Sequence, residues 1–547
     1  MVSLRHIDVM DAMDVMDVMD VQPHQNGGMN MRKRMSLILA MTMLFSIAFS
    51  ACGNKTTTPD SNAVTEGQVT TVNTPVSAVR DDVNLRLESD IISFDPLKWS
   101  SASEASIHRQ MYDPLLHITP QHTAEPRIAE SYEINADSTV FTFKIREGIL
   151  FHNGDLLLPS DVVFSIKRLL DSPYYFGYVG EIDKVEDIGN NTVQISMKGP
   201  NAPFFESISL LMIVSERAVT EAGESYDDNP VGGSGPYQYV SYERANQIRL
   251  TRFEPYYRGP ASIKDVTYRI IPDLNTTTIS LQAGDLDYSD FSTASYKNIE
   301  NDPNMLISRS QVTSTCYYIL NNEKAPFDNP LVRQAVNYAI DREFIMDSAI
   351  DGFGVTAENL VPPDVFGYSP DMDAGYLYDV EKAKELMAQA GISLPMDIGL
   401  IKTNELFKVH AQILQQNLAA IGLTAQVEVM ETTKYYEEVF AGDYVVGCTQ
   451  VGLTADADSY SQLLEAINID GLNMARYNNP EIPLLFERGR ATSSTEERLA
   501  IYTELFSIVG SDAAYVCIYH PVFLSGRDKN LTIGVGATLS VYDMSWN

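Results

Sequence analysis

The chain has 547 residues, with 39 Lys and Arg against 73 Asp and Glu, a formal net charge of −34 at pH 7. That balance argues against nucleic acid or an anionic membrane face as a partner, since either would be repelled. It favours solubility and mildly favours a cationic or zwitterionic ligand, with a solvated acidic surface as the simpler explanation. The four cysteines and eight scattered histidines form no HExxH, and the chain has no GxSxG, P-loop or GxGxxG. No metal or cofactor is expected, and enzymatic activity is disfavoured.

Residues 1–30 contain Asp8-Val9-Met10-Asp11-Ala12-Met13-Asp14-Val15-Met16-Asp17-Val18-Met19-Asp20, whose three-residue period suits neither helix nor strand. Five aspartates ahead of a basic cluster oppose export. Translation from Met29 or Met31 is the expectation, with a genuine cytoplasmic extension as the alternative. Arg32, Lys33 and Arg34 then precede an uncharged run, Met35 to Phe49, too short to span a bilayer comfortably. Ser50-Ala51-Cys52 after this run resembles a bacterial lipoprotein signal, although Phe49 stands where Leu is usual. Residues 31–51 are read as the signal and Cys52 as the lipid attachment site. An ordinary secretory signal or an uncleaved anchor are the alternatives. Acyl chains on Cys52 would anchor the protein stably, at about 0.8 kcal/mol per buried CH₂. Residues 52–79, rich in Thr, Ser, Asn, Val and Pro, cannot bury enough apolar surface to fold and read as a flexible tether.

The remaining body, about 470 residues, is too long for one compact core and implies at least two lobes. Strand-like and helical segments alternate, which predicts an α/β protein. Ser160 and Asp161 open a helix with Val162, Val163, Ile166 and Leu170 on its apolar face. Pro330 sits in the first turn of another, carrying Val332, Ala335, Val336 and Ala339. Asp341 caps a helix ending near Gly352, and Asp379 caps Val380 to Ala390 before Gly391. Leu406 to Ile421 read as a helix stopped by Gly422, followed by a half-buried strand, Thr424 to Val429. Ser494-Thr495-Glu496-Glu497 is a capping box ahead of Leu499, Ile501, Tyr502, Leu505 and Phe506. Helix, glycine stop, then strand indicates a parallel layer. Cys316, Cys448 and Cys517 cannot all pair internally, and no disulfide is assigned.

Several blocks can be read together. Ser93-Phe94-Asp95-Pro96-Leu97 and Tyr112-Asp113-Pro114-Leu115 come first, then Pro126-Arg127-Ile128-Ala129-Glu130-Ser131-Tyr132. Phe141 to Gly148 and Phe151-His152-Asn153-Gly154-Asp155 follow. Further on stand Asn229-Pro230-Val231-Gly232-Gly233-Ser234-Gly235-Pro236-Tyr237 and Leu281-Gln282-Ala283-Gly284-Asp285-Leu286-Asp287. Pro326-Phe327-Asp328 through Arg342 closes the series. Their order across residues 90–545 resembles the family 5 extracellular solute-binding proteins, the dipeptide and oligopeptide group. Most of these residues are expected to be structural: the Gly-rich turns to supply positive φ, the helical blocks to form core.

The resemblance implies a two-lobed α/β Venus-flytrap fold of the periplasmic-binding-protein type with an extra subdomain. Lobe I would comprise 80–117, 229–312 and 520–547, the inserted subdomain 118–228, and lobe II 313–519, with ligand between hinged lobes. Gly452-Leu453-Thr454-Ala455-Asp456-Ala457-Asp458 resembles the loop whose first acid, here Asp456, pairs with a peptide's α-ammonium in peptide-binding members. Asp458 is the expected helix cap. Leu453 stands where the family commonly has Trp, and the backbone of Gly452 and Thr454 could bond an extended ligand. Glu104 and Ser106 fall in the first-lobe segment bordering the family's cleft, and nearby Trp99 could stack on a ligand or belong to the core. Tyr317 and Tyr318 are expected in hinge packing. Dipeptide-specific members hold the ligand's carboxylate with an Arg, where this chain offers Lys402, Thr403 and Asn404. Lys402 lacks a bidentate fork, which argues against strict dipeptide recognition.

The function implied is capture of peptides outside the cytoplasm and delivery to the permease of an ATP-binding-cassette (ABC) importer, by a monomer tethered through Cys52 and without covalent chemistry. The same fold could instead serve an oligosaccharide, a metal chelate or another solute, or act as a sensor or adhesin.

Overall fold

The computed structural model describes residues 80–98, 101–119, 121–170, 172, 179–311, 313–534 and 539–547. The signal, Cys52, the tether and Trp99 lie outside the described residues.

The first strand, β1 (Asp82–Leu87), alternates: Val83, Leu85 and Leu87 are buried on one face. The chain then builds a separate layer from β2 (Leu116–Ile118), β3 (Ala124–Pro126), β4 (Ala129–Ile134), β5 (Val140–Ile145), β6 (Ile182–Asp187) and β7 (Thr192–Met197). Strands β4, β5, β7 and β6 form an antiparallel sheet in that order. The helix Pro159–Leu170 covers it, its Val162, Ile166 and Leu169 joining Phe141, Phe143 and Ile195 in one apolar cluster. This period-2 strand face against a 3.6-period helix stripe is what the sequence pattern predicts.

The chain returns beside β1 through β8 (Tyr237–Glu243), β9 (Gln247–Arg252), β10 (Asp265–Ile270), β11 (Tyr288–Asp290) and β12 (Met305–Gln311). It then crosses into β13 (Ser314–Leu320), β14 (Gly354–Thr356), β15 (Met396–Asn404), β16 (Leu423–Met430) and β17 (Val446–Gly452). The long β18 (Val516–Asp528) runs back. The order is β16-β15-β17-β13-β18-β11-β1-β10-β9-β8, with β12 and β14 also on β18. Strand β18 belongs to both halves. Residues from Val516 to Tyr519 pair with β13, and those from Val522 to Asp528 pair with β12. Two lobes are thus joined by two neighbouring crossings, the passage from β12 to β13 and the middle of β18.

The second half has a core on each face of its sheet. Every residue of β13 is buried. Tyr317 and Ile319 point into one cluster, while Cys316, Tyr318 and Leu320 point into the other. Being covered on both sides, the strand shows no inside–outside alternation, and its Cys316 to Leu320 stretch is apolar or aromatic throughout. Helices Pro330–Ala339, capped by Asn329, and Lys408–Ala420 cover one face. Strands β15 and β16 around the latter are parallel, as the helix–glycine–strand sequence predicts. Asp341 and Asp379 cap their helices, and Ser494 accepts from Glu497 N at 3.3 Å.

The glycine-rich turn before β8 departs from expectation. Gly148 and Gly154 take positive φ, but Gly232, Gly233 and Gly235 do not. They permit close approach instead: a Cβ on Gly233 would lie 2.2 Å from Met111 O, and one on Gly235 2.6 Å from Met111 C. The turn is clamped between the helix Ala102–Met111 and His152, whose Nε2 is 2.9 Å from Gly235 O.

Candidate functional site

Strand β17 delivers the loop 452–458 to the crossing between the lobes. Gly452 pairs with Ser314, the first residue of β13, and Leu453 N donates to Thr313 O at 3.1 Å. Beyond that point the loop is pinned by Phe366, whose N donates to Ala455 O at 2.9 Å and whose O accepts from Ala457 N at 2.8 Å. Gly367 makes this approach possible: φ is +99°, and a Cβ there would sit 2.4 Å from Ala457 Cβ. Nearby, Thr315 Oγ1 donates to Leu360 O at 2.7 Å and lies 2.9 Å from His520 Nδ1. Burial lowers His520 to about 4, so the hinge histidine is neutral at physiological pH.

One edge of β17 is open here. Strand β15 meets β17 only at Ile401↔Val446 and Lys402↔Gly447. Cys448 then turns its N–H and C=O to the Tyr435 hydroxyl, at 3.0 and 2.6 Å. Backbone groups alternate sides along a strand, so Gln450 and Gly452 face the same way as Cys448. Among the described residues no strand pairs with that edge past Gly447.

Asp456 follows directly. It is 3 % exposed and caps the short turn Ala457–Tyr460, accepting from Asp458 N at 2.9 Å. The cap is therefore Asp456, not Asp458: the turn begins one residue after Asp456, so only its side chain reaches the free N–H groups. Both Asp456 oxygens also accept from Arg498 Nη2, each at 2.9 Å. Arg498 donates to the Tyr502 hydroxyl at 3.1 Å and lies over the Phe366 ring at 4.6 Å. Burial is the largest influence and opposes the charge on Arg498, yet Asp456 and the Tyr502 hydroxyl together hold the guanidinium above its ordinary range. Asp458 faces Arg490, whose Nε lies 2.9 Å from one oxygen and donates to the other at 3.0 Å. Burial, with Asp456 adding repulsion, raises Asp458 to about 6 despite Arg490.

This cluster touches the inserted layer. The His122 ring meets Phe366 edge-on at 5.8 Å, and Ala202 N donates to Arg490 O at 2.8 Å.

The residues singled out from the sequence outside this loop are committed elsewhere. Glu104 is fully buried and accepts from Ile92 N at 2.8 Å, Ser93 N at 3.3 Å and Ser101 N at 3.1 Å. With Ser101 it forms a capping box, so it ties a loop to a helix instead of facing a ligand. Ser106 Oγ donates to Ala102 O in its own helix at 2.9 Å. Lys402 Nζ donates to Glu438 at 2.6 Å and to Asp443 O. It is joined to β17 five residues before Gly452, roughly 17 Å at 3.4 Å per residue. Asn404 is buried and caps the turn at Phe407. Lys402 and Asn404 thus hold β15 and its following helix in place and do not join the loop. Leu453 is half-buried against the core containing Phe366, Tyr460 and Tyr502, and Thr454 is half-buried beside it. Tyr317 and Tyr318 lie in the two cores, not at a surface.

Sequence reading missed Arg498, Arg490 and Phe366. A signal existed for the first. Arg498 shares the helical stripe of Ile501, Tyr502, Leu505 and Phe506, all buried in the helix Thr495–Ser511. A charge on an apolar stripe requires a buried partner.

Two lobes joined by paired crossings, with an open strand edge beside them, are an architecture suited to holding a solute between the halves. The chain belongs to the bacterial extracellular solute-binding proteins, family 5 (Middle), whose model matches residues 123–467, more than half its length. It is similar to the heme-binding protein A of Haemophilus influenzae, 29% identical over 90% of this chain and 94% of that protein. It is also similar to the dipeptide-binding protein of Escherichia coli, 28% identical over 72% and 80%. The structure of HbpA2 from Haemophilus parasuis superposes with a TM-score of 0.80 at 24% identity, over 85% of this chain and 100% of that one. Members of the family are extracytoplasmic binding components of transport systems, not enzymes. Among the described residues no helix is long and apolar enough to cross a membrane.

Proposed function

We propose that this protein captures peptides between its lobes and hands them to an ABC importer, tethered to the cell surface through lipidated Cys52. The observation that carries this reading is the open edge of β17 at Gln450 and Gly452, beside the two crossings. An extended peptide adds to such an edge through main-chain hydrogen bonds that do not depend on its sequence. Closure of the lobes would then cover it, with Leu453 and Thr454 facing its side chains. The name of the E. coli relative supports a peptide ligand. Thermal unfolding with pools of di- to pentapeptides tests the reading: a ligand at a hundred times its Kd adds about 2.7 kcal/mol of stability. No shift with any pool would refute it. Cys52→Ser tests the tether and should release the protein from membranes.

A second reading, a heme-type or other non-peptide ligand, is favoured by two observations. Asp456 is already paired with Arg498, and the Haemophilus influenzae relative is named as a heme-binding protein. A saturable change in the hemin absorption spectrum, with no peptide shift, would select it.

A further inference from the structure

Three carboxylates and two guanidiniums meet around the loop 452–458, and they are not shared evenly. Asp458 and Glu465 divide Arg490, whose Nη1 is 3.5 Å from Glu465. Asp456 has Arg498 to itself, with 2.9 Å to each oxygen. The unbalanced negative charge therefore belongs to the Arg490 group, not to Asp456. Arg498 is held on three sides, by Asp456, by the Tyr502 hydroxyl and by the Phe366 ring. Its Nε–H is buried and has no hydrogen-bond partner among the described residues.

Asp456 lies four residues beyond Gly452, on the loop that continues from the open strand edge, and the proposed edge site would bring one end of an added strand toward this loop. An ammonium arriving there meets a carboxylate already neutralised by a closer cation. To take the carboxylate it must separate Arg498 from Asp456 and leave the guanidinium buried without a counter-charge. A neutral acceptor such as an amide carbonyl asks nothing of Asp456 and leaves its pair with Arg498 intact.

We propose that Arg498 disarms Asp456 as a receptor for an α-ammonium, so that peptides with a neutral, N-acylated terminus bind this protein at least as well as those with a free amine. This inference rests on the reading of the β17 edge as a peptide site.

The full chain is titrated by calorimetry with two pentapeptide pools of identical composition, one with free α-amines and one N-acetylated. The expected result is an affinity for the acetylated pool equal to the other within threefold, or tighter. A preference of tenfold or more for the free amine overturns the inference and leaves the peptide function standing. Binding of neither pool overturns both. In Asp456→Asn the affinity for the free-amine pool should change less than threefold, and a tenfold loss would again sink the idea. Arg498→Met, where it folds, should swing selectivity at least tenfold toward the free amine. An unchanged ratio in the folded variant counts against the role of Arg498. Where Arg498→Met or Asp456→Asn does not fold, the wild-type ratio of the two pools decides the matter.

Discussion

Glu104 in the first half of the molecule and Asp456 in the second are both buried carboxylates, and the sequence marks both as candidate ligand contacts. Their partners differ in kind. Glu104 is held by backbone N–H groups of residues 92, 93 and 101. These donors are rigid parts of one local loop–helix junction. Asp456 accepts one backbone N–H, from Asp458, and both its oxygens are held by a side-chain cation from a helix that begins 39 residues later in the chain, at Thr495. Neutral backbone donors make a carboxylate into a fastener. A side-chain cation makes it into a charge pair that can be tuned by substituting either member.

The largest effect expected from this contrast is on Arg498. Arg498→Met leaves Asp456 buried without a counter-charge and should lower the unfolding free energy by about 3–5 kcal/mol in urea titration. Adding Asp456→Asn should recover much of that, and failure to recover it would mean the pair is not the coupled unit described. Glu104→Ala removes the acceptor of several amides and should cost about 2–3 kcal/mol, with ligand affinity unchanged in the folded fraction. A loss of affinity would return Glu104 to the binding site and erase the contrast.

A smaller, pH-dependent effect separates Asp458 from its neighbours. Its carboxyl is raised from 3.8 to about 6 in the fold. Its contribution to stability is therefore fully present below pH 3.8 and is lost as pH rises through about 6. His108, His152 and His520, lowered from 6.5 to about 4, act in the opposite sense: their contribution is present above 6.5 and lost as pH falls through about 4. Relative to wild type, Asp458→Asn should thus gain stability as pH rises from 4 to 6, measured by thermal unfolding at stepped pH. A difference independent of pH would place Asp458 in a more solvated setting. The smallest effect belongs to Ser106→Ala, which removes one bond within its own helix and should stay within about 0.5 kcal/mol and leave affinity unaltered.

Much of the fold is legible in the amino-acid sequence. Helix caps at Asp341, Asp379 and Ser494 and the parallel pair around the helix Lys408–Ala420 follow from local rules of spacing and capping, while at least two lobes follow from the length of the body and their arrangement from the family resemblance. Those rules act over a few residues, so the residues themselves contain the answer. The Gly-rich turn shows their limit. A glycine announces special backbone or close approach, and only Met111 packed against Gly233 and Gly235 shows which.

The sequence by itself determined the elements, the family to which they belong and the loop at Gly452 to Asp458. Tertiary structure decided what that loop can do. It laid Arg498 across Asp456, turned Lys402 toward Glu438 and left the edge of β17 open at the crossing. The reason is physical: caps and periodicity are short-range, whereas a buried charge chooses its partner from whatever the fold brings within about 4 Å, at any distance along the chain.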